Sequence, residues 1–301
     1  MKVYYDIGKA KQKVVKTIKK YGFSPEHNYY NYLYMQNGSN RKCVFLDFGG
    51  DKGIIALFNK SNNTWRVINS VFAPGKERIE IFIKFLDWAT INKGSKKVFV
   101  ESLGDFKSEV FRKLKDTHRF NTSYSLSWPI YNLDSLDMNL SGKDWKKLRN
   151  IRNRFFNRFR VQVKNPKSVN KEILKNVLHS WIRKRYPRDR ANNYYYLNVI
   201  DSGFKGFDIV RSISLNGKVC SFSGGWVIPN NGNFYYSIGI FDYNYKNIGD
   251  FINLDDLLHI KKLGWRYVDL GGSDKSTIAF KRKFKPVKIY QTYFFSISPK
   301  H

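Results

Sequence analysis

The sequence predicts an α+β protein made of two halves built to one plan. Three observations carry this expectation. A run of hairpin strands, a glycine break, an amphipathic helix, a second glycine and a short apolar strand occurs twice, from Cys43 to Val100 and again from Ile209 to Leu270. The second copy turns at Asn216-Gly217 and Asn230-Asn231-Gly232, residue types that supply the positive φ of tight hairpins. Hydrophobic residues make up 42% of the chain, ample for packed cores in 301 residues. The copies agree in pattern and hardly at all in identity, so the repeat is architectural.

Residues 7–21 interleave Lys with Val and Ile as a basic amphipathic helix, followed by an aromatic, Asn-rich loop at 29–34. Strands are expected at 43–48, 53–58 and 65–72, separated by Gly-Gly-Asp and Ser-Asn-Asn turns. From Glu77, helical spacing places Phe82, Phe85, Leu86 and Ala89 on one face, and Lys93-Gly94 ends the helix. Residues 97–100 read as a buried strand, and Phe106, Val110, Phe111 and Leu114 as one face of a short helix. The domains are expected at 1–125 and 126–301, the second carrying the site.

Residues 141–160 hold eight cations and one anion. Leu148, Ile151, Phe155 and Phe159 share a helical face, with Ser141 as N-cap and Asp144 in the first turn. The opposite face presents Lys146, Lys147, Arg149, Arg154 and Arg158; like charges at one-turn spacing repel, which favours phosphate binding over a plain solvated face. A second helix, 172–186, is expected to bury Ile173, Val177, Leu178, Trp181 and Ile182 and ends in Arg183-Lys184-Arg185. The loop after it sets Arg188 and Arg190 beside Tyr194, Tyr195 and Tyr196, which suits stacking on bases and equally suits half-buried strand starts.

In the second copy, strands at 209–215, 218–228 and 233–242 are followed by Gly249 and a helix bearing Leu254, Leu257, Leu258 and Ile260 to Leu263. Gly264 ends it, and 265–270 is the next strand. Then come the Gly271-Gly272 break, a polar loop and Phe280-Lys281-Arg282-Lys283-Phe284, two aromatics alternating with three cations.

The net charge of +30 favours a polyanion, whether RNA, DNA or an anionic membrane surface. Cys43 and Cys220 form no metal spacing or disulfide framework, and no apolar stretch approaches the roughly 20 residues that span a bilayer. A cytoplasmic protein is expected. Phosphate-binding loops, dinucleotide fingerprints, nucleophile elbows and histidine metal spacings are absent, so no metal or nicotinamide cofactor is expected. No glutamate follows Glu172; a general base in the second half is therefore Asp242, Asp255, Asp256, Asp269, Asp274, a histidine or the substrate itself. Asp255 and Asp256 also suit the first turns of a helix, and Asp269 also suits capping of the Gly-Gly turn.

The order helix, Lys262-Leu263-Gly264-Trp265-Arg266-Tyr267, Val268-Asp269-Leu270-Gly271-Gly272, then Phe280-Lys281-Arg282-Lys283-Phe284 resembles the end of aminoacyl-tRNA-dependent transferases. These are the C-terminal domain of phosphatidylglycerol lysyltransferase (the MprF-like group) and, more distantly, the Fem peptidoglycan transferases. The segment from Leu140 to Phe155 is similar to the element that opens the second half of the lysyltransferase-type domain. The resemblance extends over residues 95–290. It implies two tandem acetyltransferase-like (GNAT) folds with a tunnel, aminoacyl-tRNA as co-substrate without a bound cofactor, and an amine or hydroxyl acceptor. Lys281 matches the Lys of the family's Phe-Lys-x-x-Phe motif, where it holds the aminoacyl end or stabilises developing charge. The expected catalytic residues are then Lys281, Asp269 and Asp255, with Phe280, Gly271, Gly272, Tyr236 and Trp226 lining the substrate. Lys143, Lys146, Lys147, Arg149, Arg152, Arg154, Arg158, Arg183, Arg185, Arg188 and Arg190 are expected to hold tRNA phosphates.

The sequence lacks the membrane region of full-length lipid aminoacyltransferases and the coiled-coil arm of many Fem enzymes, although its basic surface suits peripheral contact with anionic headgroups. An acyl-CoA donor is the alternative. It needs a pyrophosphate loop, and residues 245–251 keep only Gly249 and place Asp250 where the pyrophosphate would lie. A non-catalytic module that binds RNA or anionic lipid is the third reading.

Overall fold

The computed structural model describes residues 1–38, 40–185 and 193–300, so Arg188 and Arg190 lie outside the described residues. The first half runs β1 (Lys2–Tyr4), α1 (Lys11–Tyr21), α2 (Tyr29–Tyr34), β2 (Arg41–Gly49), β3 (Lys52–Asn59), β4 (Thr64–Ile68), β5 (Val71–Phe72), α3 (Glu77–Asp87), β6 (Val98–Leu103), α4 (Gly104–Leu114) and β7 (His118–Asn132). The second runs α5 (Lys146–Arg158), β8 (Val161–Lys164), α6 (Lys171–Arg185), α7 (Asn193–Asp201), β9 (Ile209–Leu215), β10 (Lys218–Val227), β11 (Phe234–Phe241), α8 (Ile248–Lys262), β12 (Tyr267–Asp269), α9 (Lys275–Lys281) and β13 (Lys288–Pro299). With β5 and α5 set aside, both halves read strand, two helices, three strands, helix, strand, helix, strand.

The strands form one sheet in the order β1-β2-β3-β4-β6-β13-β7-β12-β11-β10-β9-β8, with β5 beside β3. Each half contributes one parallel pair, β4 with β6 and β11 with β12. The halves also exchange their last strands. β13 pairs with β6 of the first half from Thr292↔Leu103 to Ile297↔Val98, and β7 pairs with β12 of the second from Tyr267↔Asn132 to Asp269↔Ile130. Burial follows the pairing: Phe295 and Ile297 fill the first half's core, and Tyr131 the second's. The boundary expected between 125 and 126 falls inside β7.

Several local expectations need correction. The strand expected over 65–72 breaks at Asn69, whose φ is 50°. There the Ser70 hydroxyl donates to the Ile55 carbonyl at 2.6 Å and turns the chain into β5. Ser141 does not cap α5: the helix starts at Lys146 after Trp145, and the Ser141 amide donates to Asp137. Ile173 is exposed, because Leu174 takes the inward position on α6. Tyr194, Tyr195 and Tyr196 lie in α7, not in a loop or strand. Gly249 is the second residue of α8 and no break; the Phe241 ring occupies the space where a Cβ would sit, 2.8 Å away.

Candidate active site

The parallel pair β11 and β12 is joined only at Phe234↔Val268 and Tyr235↔Asp269. Beyond Asp269 the strands part: β11 continues along β10, while the chain after β12 enters the Gly-Gly turn. Gly271 has φ of 81°, and a Cβ on Gly272 would lie 2.9 Å from the Trp128 ring. Both positions therefore require glycine.

The turn leads into α9, whose first turn is capped by Asp274 accepting from the Thr277 amide at 2.7 Å. The helix carries Lys281 back over the turn, where its ammonium donates to the carbonyls of Leu270 and Gly271, the latter at 3.0 Å. Phe284 is buried, and Phe280 packs edge-on against it with ring centroids 5.6 Å apart. These two rings anchor the segment. Phe280 belongs to that anchor, with Lys283 over its ring.

Asp269, 1% exposed, accepts from the Gly271 amide at 2.7 Å and from the Tyr290 hydroxyl at 2.8 Å. It caps the turn and faces the site at once. Burial raises its pKa to about 6, with the Gly271 and Tyr290 hydrogen bonds opposing. Burial lowers the Lys281 pKa to about 8, with Asp269 opposing and the Arg185 guanidinium adding to the fall. At neutral pH the turn thus holds a carboxylate and an ammonium in a dry setting, where each charge is felt more strongly than in water.

From Asp269 a path of contacts runs along the seam between the halves. Tyr290 stacks on Trp128 at 5.8 Å, the Trp128 indole N–H donates to Thr292 at 2.9 Å, and the Thr292 hydroxyl donates to Glu101 at 3.0 Å. Tyr235 lies against Trp128 at 6.4 Å and Trp226 at 5.2 Å. The Trp226 indole N–H donates to the Pro25 carbonyl at 2.8 Å, next to Glu26. Asn31 donates to the Glu26 carbonyl at 2.9 Å and accepts from the Tyr195 hydroxyl at 3.0 Å. Tyr195, Tyr196, Tyr235 and Lys281 are half-buried. Burial and the nearby Glu101 push Glu26 up to about 8; Glu101 is itself raised by burial, with Arg66 opposing.

Of the expected site residues, the structure brings together Lys281, Asp269, Gly271, Gly272 and Trp226. Tyr236 and Asp255 lie elsewhere. Successive side chains on a strand face opposite sides, so Tyr235 packs against Trp128 and Trp226 while the Tyr236 hydroxyl donates to Asp256 at 2.7 Å on the other face. Arg211 donates to both Asp255, at 2.7 Å, and Asp256. Asp255 sits mid-helix in α8, not in the first turn, and is neutralised by that guanidinium. Sequence reasoning missed Glu26, Glu101, Trp128, Tyr235 and Tyr290. All but Tyr235 come from the first half or an exchanged strand, and no local pattern marks them.

Among the expected phosphate-binding cations, Lys143, Lys146, Lys147, Arg154, Arg158 and Arg183 are exposed and form no ion pair among the described residues. Arg149 is turned inward and donates to the carbonyls of Leu140 and Gly142, fixing the loop into α5. Arg152 is half-buried with its guanidinium 5.2 Å from the Phe156 ring centroid, and Arg185 lies 4.4 Å over Trp181. Among the described residues, no His, Cys, Asp and Glu group could hold a metal, and no helix is long and apolar enough to cross a membrane.

The family model described as phosphatidylglycerol lysyltransferase, C-terminal, matches residues 129–288, more than half of the chain. Comparison with curated proteins gives no match. Among solved structures, L-PGS from Bacillus licheniformis is 15% identical and superposes with a TM-score of 0.65 over 95% of this chain and 91% of its own. FemX is 11% identical, with a TM-score of 0.63 over 98% and 97%. A tandem GNAT protein from the clavulanic acid biosynthesis pathway is 11% identical, with a TM-score of 0.56 over 99% and 98%. At such identities these likenesses speak for the fold. The fold is tandem GNAT, and with the matched region taking in α5, the parted strands and α9 with Lys281, the chain belongs to the phosphatidylglycerol lysyltransferase C-terminal family.

Proposed function

We propose that the protein is an aminoacyltransferase that takes an amino acid from aminoacyl-tRNA and passes it to an amine or hydroxyl acceptor. The observation that carries this reading is the Lys281 ammonium, held by two turn carbonyls above the parted strands in a dry site. Three N–H groups are available to a lysine and the turn engages two, which leaves one to meet a carbonyl oxygen as it gains charge. A donor placed so lowers a barrier by about 3 kcal/mol. Aminolysis or alcoholysis of an activated ester otherwise needs positioning and a proton acceptor, and Asp269 is ionised beside Lys281.

The donor is read from charge. The exposed cations of α5 and Arg183 offer an unneutralised track for phosphates, and Arg185 is near enough for its charge to act on Lys281. The same cations suit peripheral contact with anionic lipid. An acyl-CoA donor fits less well: Asp250 is buried in the first turn of α8 and paired with Lys283 at 2.8 Å, so a pyrophosphate would meet a carboxylate there.

The test is transfer of radiolabelled amino acid from a charged tRNA pool, with cell extract as acceptor. Label should leave tRNA in the presence of the protein, and Lys281→Ala should abolish transfer while RNA binding persists. Tight binding of acetyl-CoA with indifference to RNA would overturn the proposal.

A further inference from the structure

Three buried carboxylates, Glu26, Glu101 and Asp269, lie around the Trp128–Tyr235–Trp226 aromatic group inside a chain whose net charge is +30: Glu101 through Thr292, Asp269 through Tyr290, and Glu26 beside the Pro25 carbonyl that Trp226 engages. They arrive from the α1–α2 connection, β6 and β12, so both halves contribute. All are at most 7% exposed. Among the described residues, neither Glu26 nor Glu101 has an ion-pair partner: the Glu26 carboxylate accepts from the Ser24 hydroxyl and Glu101 from Thr292, while Arg66 acts on both only at longer range, its guanidinium 4.4 Å from the Phe294 ring centroid. Burying carboxylates together without a cation is unfavourable.

Unpartnered hydroxyls give a second, independent sign. Tyr32 is 2% exposed, its hydroxyl has no hydrogen-bond partner among the described residues, and Glu26 is the foremost charge acting on it. The Tyr235 hydroxyl reaches within 3.5 Å of where a Gly271 Cβ would stand and makes no hydrogen bond among the described residues. Around it Trp128, Trp226 and Tyr290 present aromatic faces. Carboxylates at one end and aromatic faces on the walls are the surroundings that a desolvated ammonium seeks.

We propose that Glu26 and Glu101 of the first half form, with Asp269 and these aromatic walls, a subsite that binds a primary ammonium beside Lys281. The inference rests on the reading of Lys281 and Asp269 as the active site. The ammonium belongs either to the acceptor or to the α-amino group of the transferred residue. Glu26, pushed up to about 8, is protonated at neutral pH, so a bound ammonium takes that proton's place and binding releases it. The groups that set this balance are the Ser24 hydroxyl bonded to Glu26 and, through charge, Glu101 on β6, Asp269 on β12, Arg66 on β4, Tyr32 on α2, Tyr195 on α7, Tyr235 on β11 and Tyr290 on β13, with Lys281 on α9 acting through Asp269.

Calorimetric titration with butylamine, alaninamide and butanol, in buffers of different ionisation heat, tests this. An amine should bind with proton release, more tightly at pH 8 than at pH 6, and butanol should not. Glu101→Gln and Glu26→Gln should each weaken the amine about a hundredfold, since a buried charge loses its counter-charge; a thermal melt checks folding, and Glu101→Asp should restore part of the affinity. Selective binding of alaninamide assigns the subsite to the donor, and of butylamine to the acceptor. Failure of both amines to bind, or equal affinity in the glutamine variants, overturns the inference. Amine binding without transfer from charged tRNA would instead refute the proposed function and leave the subsite standing.

Discussion

Replacing Lys281 by Met should separate activity from stability. The folded chain holds this ammonium at a pKa of about 8 against an ordinary value of 10.5. That difference corresponds to about 3 kcal/mol of unfavourable burial in the charged form. Two hydrogen bonds to the turn carbonyls oppose it, and leaving those carbonyls unpaired costs about 1–3 kcal/mol each. Near pH 7 the two effects offset, so Lys281→Met should unfold within about 2 kcal/mol of wild type in urea, while transfer falls about a hundredfold or more. The pH dependence is the sharper readout. Because the folded pKa lies below the unfolded one, the unfolded chain binds the extra proton between them, and wild-type stability rises with pH across that window. The difference between wild type and Lys281→Met should therefore grow by up to about 3 kcal/mol from pH 7 to pH 10.5. The buried tyrosines titrate in both proteins and cancel. A flat difference would refute the description of Lys281 as a buried charged group.

Transfer should follow a bell in pH, with an acid limb near 6 as Asp269 takes a proton and a basic limb near 8 as Lys281 loses one; Lys281→Arg should remove the basic limb, read from initial rates. Gly272→Ala should lose about 1–3 kcal/mol in thermal unfolding, because its methyl meets the Trp128 ring. Lys146→Glu with Arg154→Glu should weaken RNA binding and flatten its salt slope by about 1–2 units, with the melting point unchanged, since both side chains are exposed. Asp255→Asn should retain transfer, whereas Arg211→Met should destabilise by about 3–5 kcal/mol by stranding two carboxylates.

Hairpin turns and helical rows made the repeat legible because they are local: Asn216-Gly217 fixes β9 against β10 without help from the rest of the chain. Lys281, Asp269 and the glycine pair were legible because one continuous segment carries them. Tyr236, expected at the substrate, lies on the opposite face from Tyr235, and two adjacent strand aromatics carry nothing in sequence that says which face meets Trp128 and Trp226. Glu26 and Glu101 were invisible for another reason. Glu101 reaches Thr292 only through the exchanged β13, and Pro25-Glu26 reaches Trp226 across a separation of more than a hundred positions, pairings for which propensity and periodicity carry no signal. The three tyrosines of α7 went astray because aromatic propensity favours strands until packing against α6 decides otherwise.

That exchange also dictates the order in which the molecule can be made. A chain emerging from the ribosome forms β1 to β6 early, but the place beside β6 stays vacant until residues 288–299 have been synthesised. Until then Phe295 and Ile297 are missing from the first core, and the edge of β6 stands open to any passing strand. Translation therefore leaves a long interval in which the first half is a receptor for its own C-terminus. A chain truncated before β13 should remain in that aggregation-prone state, its first core unfinished although β7 still completes the second.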